Sequence, residues 1–176
     1  MTIWGQLLHT LRHTPATRPE APPSAETATA LAARLDAAAQ RRLGRSLAIR
    51  HVGAGGCDGC ELELRALNGI VYDLERFGLR FVTSPRHADV LLATGPLTRN
   101  MAEALARTHA AMGEPKWVVA VGDCAIDGGV FKGSYACLGG ITTLPIDLVI
   151  RGCPPTPWQV LDGLRALIEA NAAPAR

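Results

Sequence analysis

Aromatic residues make up only 5% of this 176-residue chain, and lysine occurs twice. Apolar runs such as Val118–Val121 fall far short of the roughly 18 residues that a membrane-crossing helix needs, so no span is expected. Nor does a cationic start lead into an apolar stretch, so no secretory signal is expected and a cytoplasmic address follows. Arg41-Arg42 resembles a twin-arginine start, but Arg45, Arg50 and His51 interrupt the segment that would have to be apolar. Charge of one sign is also lacking: 18 Lys and Arg oppose 16 Asp and Glu, for a net charge of +2, which argues against nucleic acid as a partner. Cysteine is sparse and odd in number. Five thiols are too few for a disulfide-dense scaffold, and they cap the metal inventory at one four-cysteine site.

What is present is one domain's worth of apolar residues, 48% of the chain, preceded by a segment of different character. Residues 1–50 hold seven arginines against three acids. Trp4, Leu7, Leu8 and Leu11 recur at the spacing of one helix face. Pro15, Pro19, Pro22 and Pro23 then interrupt any helix, and an alanine-rich helix is expected from Ser24 to Gly44. Residues 1–45 therefore read as an N-terminal helical extension with a proline-rich linker. Its Trp4 face is a candidate for docking on a membrane surface or a partner.

From residue 46 to 176 short apolar runs alternate with amphipathic stretches. Strands are expected at Ser46–Val52, Leu79–Thr83, Ala88–Ala93, Trp117–Val121 and Asp147–Ile150. Helices are expected at Glu61–Phe77, where Leu64, Leu67, Ile70, Val71 and Leu74 share a face, and at Thr98–Met112 and Pro157–Ala170. Continuous apolar strands between helices imply a parallel sheet covered on both faces, here a doubly wound α/β domain of flavodoxin-like order. The glycine-rich stretch Asp123–Pro145 reads as a long irregular, functional loop.

Four of the five cysteines fall just after expected strands: Cys57 and Cys60 after the first, Cys124 and Cys153 after later ones. In an open parallel sheet those carboxyl ends converge on one crevice. Glycine-rich loops permit the close backbone approach that wraps a metal centre, and the helix opening near Glu61 points its positive end at the first thiol pair, favouring thiolates. Proline directly after a cysteine, as in Cys153-Pro154, recurs among iron–sulfur ligands. Two other chemistries use such residues. A Cys-Asp-Gly-Cys pair alone suits a thioredoxin-type dithiol, but a dithiol needs no further thiols. Structural zinc takes four cysteines, more often as two close pairs than as one pair with two single residues. A dinucleotide fingerprint starting at Gly53-Ala54-Gly55 fails, because Asp58 stands at its third glycine. Cys137 reads as a buried apolar cysteine, and His9, His13, His51, His87 and His109, which share no ligand spacing, as surface or capping residues.

Three motifs in order, Gly56-Cys-Asp-Gly-Cys-Glu-Leu-Glu63, Gly122-Asp-Cys-Ala-Ile-Asp-Gly-Gly-Val-Phe131 and Arg151-Gly-Cys-Pro-Pro-Thr-Pro157, carry a resemblance to a known superfamily. It is that of the NiFe-hydrogenase small subunits and the 20-kDa B subunit of NADH:quinone oxidoreductase, and it spans about residues 46–170. The resemblance implies one 4Fe-4S cluster on Cys57, Cys60, Cys124 and Cys153, with no catalytic residue in this chain itself. It implies electron relay inside a multi-subunit complex, peripheral on the cytoplasmic face of the membrane. The implied partners are a NiFe-type or complex I 49-kDa-like large subunit, a ferredoxin-like iron–sulfur subunit and membrane subunits. Complex I subunits of this type carry two adjacent cysteines in the first motif. Asp58-Gly59 separates them here, as in the small subunits of energy-converting hydrogenases and formate hydrogenlyase. The B subunit proper and a stand-alone iron–sulfur or zinc-binding regulator are the alternatives. Glu61 is a candidate proton relay at the partner interface or, alternatively, a carboxylate stabilising the first turn of its helix.

Overall fold

The computed structural model describes residues 44–171, together with Ala30, Ala33 and Ala37, which are helical and exposed. The Trp4 face, the proline-rich linker and most of the expected Ser24–Gly44 helix lie outside the described residues. Five strands form one sheet: β1 (Leu47–Gly53), β2 (Leu79–Phe81), β3 (Val90–Thr94), β4 (Trp117–Val121) and β5 (Leu148–Ile150). Every pairing is parallel and the order is β2-β1-β3-β4-β5, the doubly wound flavodoxin arrangement expected from the alternation of apolar runs and helices. Among the described residues from 44 onward the α-helices are α1 (Gly59–Leu67), α2 (Arg99–Ala110), α3 (Asp123–Asp127) and α4 (Pro157–Asn171).

β3 and β4 are buried along their whole length because each face carries its own core. Side chains alternate across a strand, so Val90 and Leu92 join Val119 and Val121 on one face. There they pack with Leu64 and Leu67 of α1 and Val160, Leu161 and Leu164 of α4. Leu91, Ala93, Val118 and Ala120 point the other way, to Leu105 of α2, Val52 and Ile141. Each fully buried leucine or valine contributes about 1.5–3 kcal/mol by leaving water. The chain is thus held on both sides of a rigid sheet whose carboxyl ends all lie at one edge.

The expected Glu61–Phe77 helix is two elements. α1 stops at Leu67, where the amides of Asn68 and Gly69 bond back to Arg65 and Ala66 in tighter three-residue turns. Asp73 then adopts φ 48°, and a separate 3-10 turn, Leu74–Phe77, runs to Gly78. Leu74 and Phe77 still reach the core, but Ile70 and Val71 are 100% and 77% exposed, contrary to the expected shared face. The stretch 123–145 is not wholly irregular either, since it opens with α3 and a 3-10 turn at Gly129–Phe131. Its remainder is pinned to the sheet edge: Leu97 N–H donates to Gly139 O, Leu138 N–H to Leu97 O and Arg99 N–H to Ala136 O.

Asp89, just before β3, is a buried anchor. It takes two bonds from the Arg45 guanidinium, at 2.9 and 2.6 Å, and one from the Ala48 amide at 2.9 Å. Asp89→Ala is expected to lower unfolding stability by about 2 kcal/mol, because the β1 amide loses a buried acceptor. A shift in the urea midpoint at unchanged slope checks this.

Candidate metal centre

Three loops at the carboxyl edge carry the four thiols. The first leaves β1 at Gly53. Ala54 N–H donates to Thr94 O, and Thr98 holds Ala54 O through both its amide and its hydroxyl. Gly95, at φ 74°, sits so close to the Gly55 carbonyl that an added Cβ would meet its oxygen at 2.4 Å. Only two glycines allow this approach. The loop then exposes Cys57, turns at Asp58 in a left-handed conformation (φ 62°) and enters α1, whose first turn holds half-buried Cys60.

The second loop begins at Gly122 and runs into α3, where Cys124 is 8% exposed. The third follows β5 and exposes Cys153, whose peptide bond to Pro154 is cis. These two loops clasp each other: Asp123 N–H donates to Gly152 O at 2.9 Å, and Gly152 N–H donates to Asp123 Oδ1 at 3.1 Å. Their meeting with the first loop shows in the glycines. A Cβ on Gly122 would lie 2.6 Å from Cys60 Sγ, and one on Gly129 would lie 2.6 Å from Cys124 Sγ. A Cβ on Gly59 would lie 3.5 Å from Cys57 Sγ and 3.9 Å from Pro154. The three loops thus approach one another, and each of Cys57, Cys124 and Cys153 acts electrostatically on Cys60.

That crowding sets the protonation of the apo centre. Burial first, then Glu61 and the other thiols, push the Cys60 thiol from 9.0 up to about 12. Burial, followed by Cys153, Cys57 and Asp123, also raises Cys124, although the Val130 amide opposes the rise. The expected stabilisation of a Cys60 thiolate by the helix start is thus outweighed. At pH 8 the Cys60 thiolate fraction in the apo chain is about a thousandfold below that of an ordinary thiol. Iodoacetamide labelling followed by peptide mapping is expected to find half-buried Cys60 and buried Cys124 labelled more slowly than exposed Cys57 and Cys153. Positive charge from bound metal reverses this balance and would release the protons.

Among the described residues, no three His, Cys, Asp or Glu side chains close on a single metal ion. The donors are instead spread over three loops, in a cradle kept free of Cβ atoms, and four soft thiolates suit zinc or iron–sulfur chemistry. Four of the five cysteines thus lie on loops at the same edge of the sheet. Cys137 does not join them: it forms an antiparallel bridge with Thr98 and is half-buried, more open than the buried apolar residue expected.

Glu61 lies beside the thiols and accepts a hydrogen bond from Thr94 Oγ1 at 2.6 Å. Thr94 has one hydroxyl proton and gives it to Glu61, so His51 Nε2, 3.0 Å away, must be the donor to Thr94. Burial lowers the His51 pKa despite the opposing Glu61, which favours the neutral ring, and the bonding order places a proton on Nε2. His51 is therefore a half-buried link in this chain of hydrogen bonds, not the surface or capping residue expected. Neither Thr94 nor His51 is expected from the sequence as a site residue. The signal for Thr94 was a hydroxyl closing the apolar run Val90–Ala93 at a strand's carboxyl end.

Fold and site together define a class, a doubly wound domain that gathers four thiols where its strands end. The model of the NADH ubiquinone oxidoreductase 20 kDa subunit family matches residues 57–167, which include all four cysteines. The chain belongs to this family of oxidoreductase subunits. It is 41% identical to formate hydrogenlyase subunit 7 of Escherichia coli over 132 residues, 74% of this chain and 52% of that subunit. It is 40% identical to a probable membrane-bound hydrogenase subunit, mbhJ, of Pyrococcus furiosus, over 74% of this chain and 78% of that one. An uncharacterized protein of Methanocaldococcus jannaschii is 43% identical over 67% of this chain and 80% of its own length. A chain in the structure of the membrane-bound sulfane sulfur reductase, an archaeal respiratory membrane complex, superposes with a TM-score of 0.63. That pair is 35% identical and aligned over 74% of this chain and 71% of the other.

Proposed function

We propose that this chain is an electron-transfer subunit holding one 4Fe-4S cluster on Cys57, Cys60, Cys124 and Cys153. The reading places it in a membrane-associated hydrogenase or complex I-like oxidoreductase, peripheral on the cytoplasmic face. No helix among the described residues is long and apolar enough to cross a membrane, so attachment through other subunits accords with it. The observation that carries the proposal is the convergence of four thiols on a glycine cradle at the sheet's carboxyl edge.

The bound cluster supplies a one-electron carrier, exchanging electrons between a large partner subunit's site and a ferredoxin-like subunit or other acceptor. The chain's own residues fix its position. The Asp123–Gly152 clasp holds two ligand loops in register, and the packing of Gly55 against Gly95 holds the third. Backbone amides of these loops and the start of α1 offset negative charge on the thiolates. Glu61, tied to Thr94, is the residue through which a proton would pass toward the partner. The separation of Cys57 and Cys60 by Asp58-Gly59 favours the hydrogenase version over the complex I subunit proper.

Anaerobic purification, metal and sulfide analysis and EPR after reduction test the reading. About four irons and four sulfides per chain, with a paramagnetic signal on reduction, are expected. Stoichiometric zinc without iron overturns it in favour of the zinc-binding regulator. Residues 1–45 are read as a separate docking extension. Deleting residues 1–20 is expected to lower the membrane-bound fraction of the assembled complex in flotation assays, and an unchanged fraction rules out docking through Trp4.

A further inference from the structure

A second polar site lies where β1 runs past the end of β2, and it shares Glu61 with the thiol centre. β2 pairs with β1 only as far as Ile49–Phe81, whereas β1 continues to Gly53. The exposed edge beyond Ile49 opens a cavity of about 270 Å³ beside α1, lined by Arg50, His51, Glu61, Arg65, Asn68 and Phe81 among others. Inside it the Nε of Arg50 is buried with no hydrogen-bond partner. Arg50 itself is half-buried, and an inaccessible guanidinium donor without a partner costs free energy that an acceptor entering the cavity would recover.

The charges identify that acceptor. Arg50 and Arg65 bring two cations, and neither has an ion pair among those found in the described residues. Glu61 brings one anion, already engaged as the acceptor for Thr94, and His51 is spent as the donor to the same hydroxyl. One positive charge remains uncompensated, which fits one monoanionic carboxylate approaching Arg50 in the planar geometry a guanidinium favours. Two and three residues beyond Asn68, Ile70 and Val71 stand in water at 100% and 77% exposure. Exposed apolar residues following closely in the chain on a lining residue, together with a partly desolvated arginine in the cavity, are the ingredients of an interface with a charged anchor. We propose that this cavity is a socket for an Asp or Glu side chain of a partner subunit, anchored on Arg50 and Arg65. The assignment rests on the reading of this chain as a subunit of a larger complex.

The test is Arg50→Met in the full chain and in the complex purified with it, with its subunits identified by mass spectrometry. Removing the unpartnered donor is expected to leave the melting temperature of the free chain unchanged or raised by about 3 °C. Recovery of intact complex at about 150 mM salt is expected to fall about tenfold. Arg50→Lys, which keeps the charge but lacks the Nε donor, is expected to lose most of the same recovery. Arg80→Met, at an exposed arginine outside the cavity, is expected to assemble normally. Unchanged recovery with Arg50→Met overturns the socket, as does a large fall in free-chain melting temperature, which would make Arg50 a structural residue. Saturable binding of acetate or phosphate to the free chain, lost in Arg50→Met while assembly stays normal, overturns it in favour of a free-anion site. Iron content of the free wild-type chain reports separately on the cluster, so failure of the socket and failure of the electron-transfer reading are distinguishable.

Discussion

Cys124→Ser is expected to reduce the iron of the anaerobically purified chain from about four to below one atom per chain, with loss of the reduced EPR signal. Cys124 is the most buried of the four converging thiols, at 8% exposure, and α3 fixes its backbone. Solvent therefore has little access to the position, and a displaced ligand has no room to swing back. Serine keeps the volume but offers a hydroxyl that stays protonated where the thiol ionises on binding metal. Cys137→Ser is the control. Cys137 sits in the bridge to Thr98 and contributes to the pinned loop through its backbone, so iron is expected to stay at about four. Fold loss does not mimic the result, because a small buried thiol-to-hydroxyl change costs on the order of 1 kcal/mol and leaves the sheet formed. Full iron in Cys124→Ser, or iron loss in Cys137→Ser, would reassign the ligand set.

The sheet was legible because its central strands are apolar throughout. Ala88–Ala93 and Trp117–Val121 have no helical alternative of adequate length; the first expectation lies within two residues of the observed Val90–Thr94 and the second coincides with the observed strand. Periodicity failed at Ile70 and Val71, whose helical spacing says nothing about whether the backbone continues past Asn68-Gly69. The convergence of the cysteines followed from topology, since strand ends of a parallel sheet share one edge. The protonation of Cys60 did not follow, because it depends on burial and on neighbours as distant in sequence as Cys153. The Glu61–Thr94–His51 chain was hidden for the same reason: its members lie on α1, β3 and β1 and meet only when β1 pairs with β3. The orphaned Arg50 donor was invisible too, as it depends on where β2 stops.

Gly122→Ala is expected to impair cluster binding severely while all four cysteines remain. Two effects combine at this position. Its φ of 89° strains any residue with a Cβ, at a cost of about 1–2 kcal/mol, and that Cβ would lie 2.6 Å from Cys60 Sγ. Cys60 cannot yield easily, since it is held in the first turn of α1. Either the thiol leaves the centre or the β4 loop moves, and moving that loop breaks the clasp between Asp123 and Gly152 that positions Cys153. Iron is therefore expected to fall at least about fivefold, with a stability loss of about 3 kcal/mol when strain and overpacking add. Gly133→Ala separates the two causes, because Gly133 has a comparable φ of 81° but open space where the Cβ would stand. It is expected to show the strain cost alone, near 1 kcal/mol, with full iron. If Gly122→Ala also retains full iron and loses no more stability than Gly133→Ala, then the approach of the β4 loop to Cys60 does not hold the centre together. The positioning role would then fall on the clasp alone, which Asp123→Ala tests by the same two measurements.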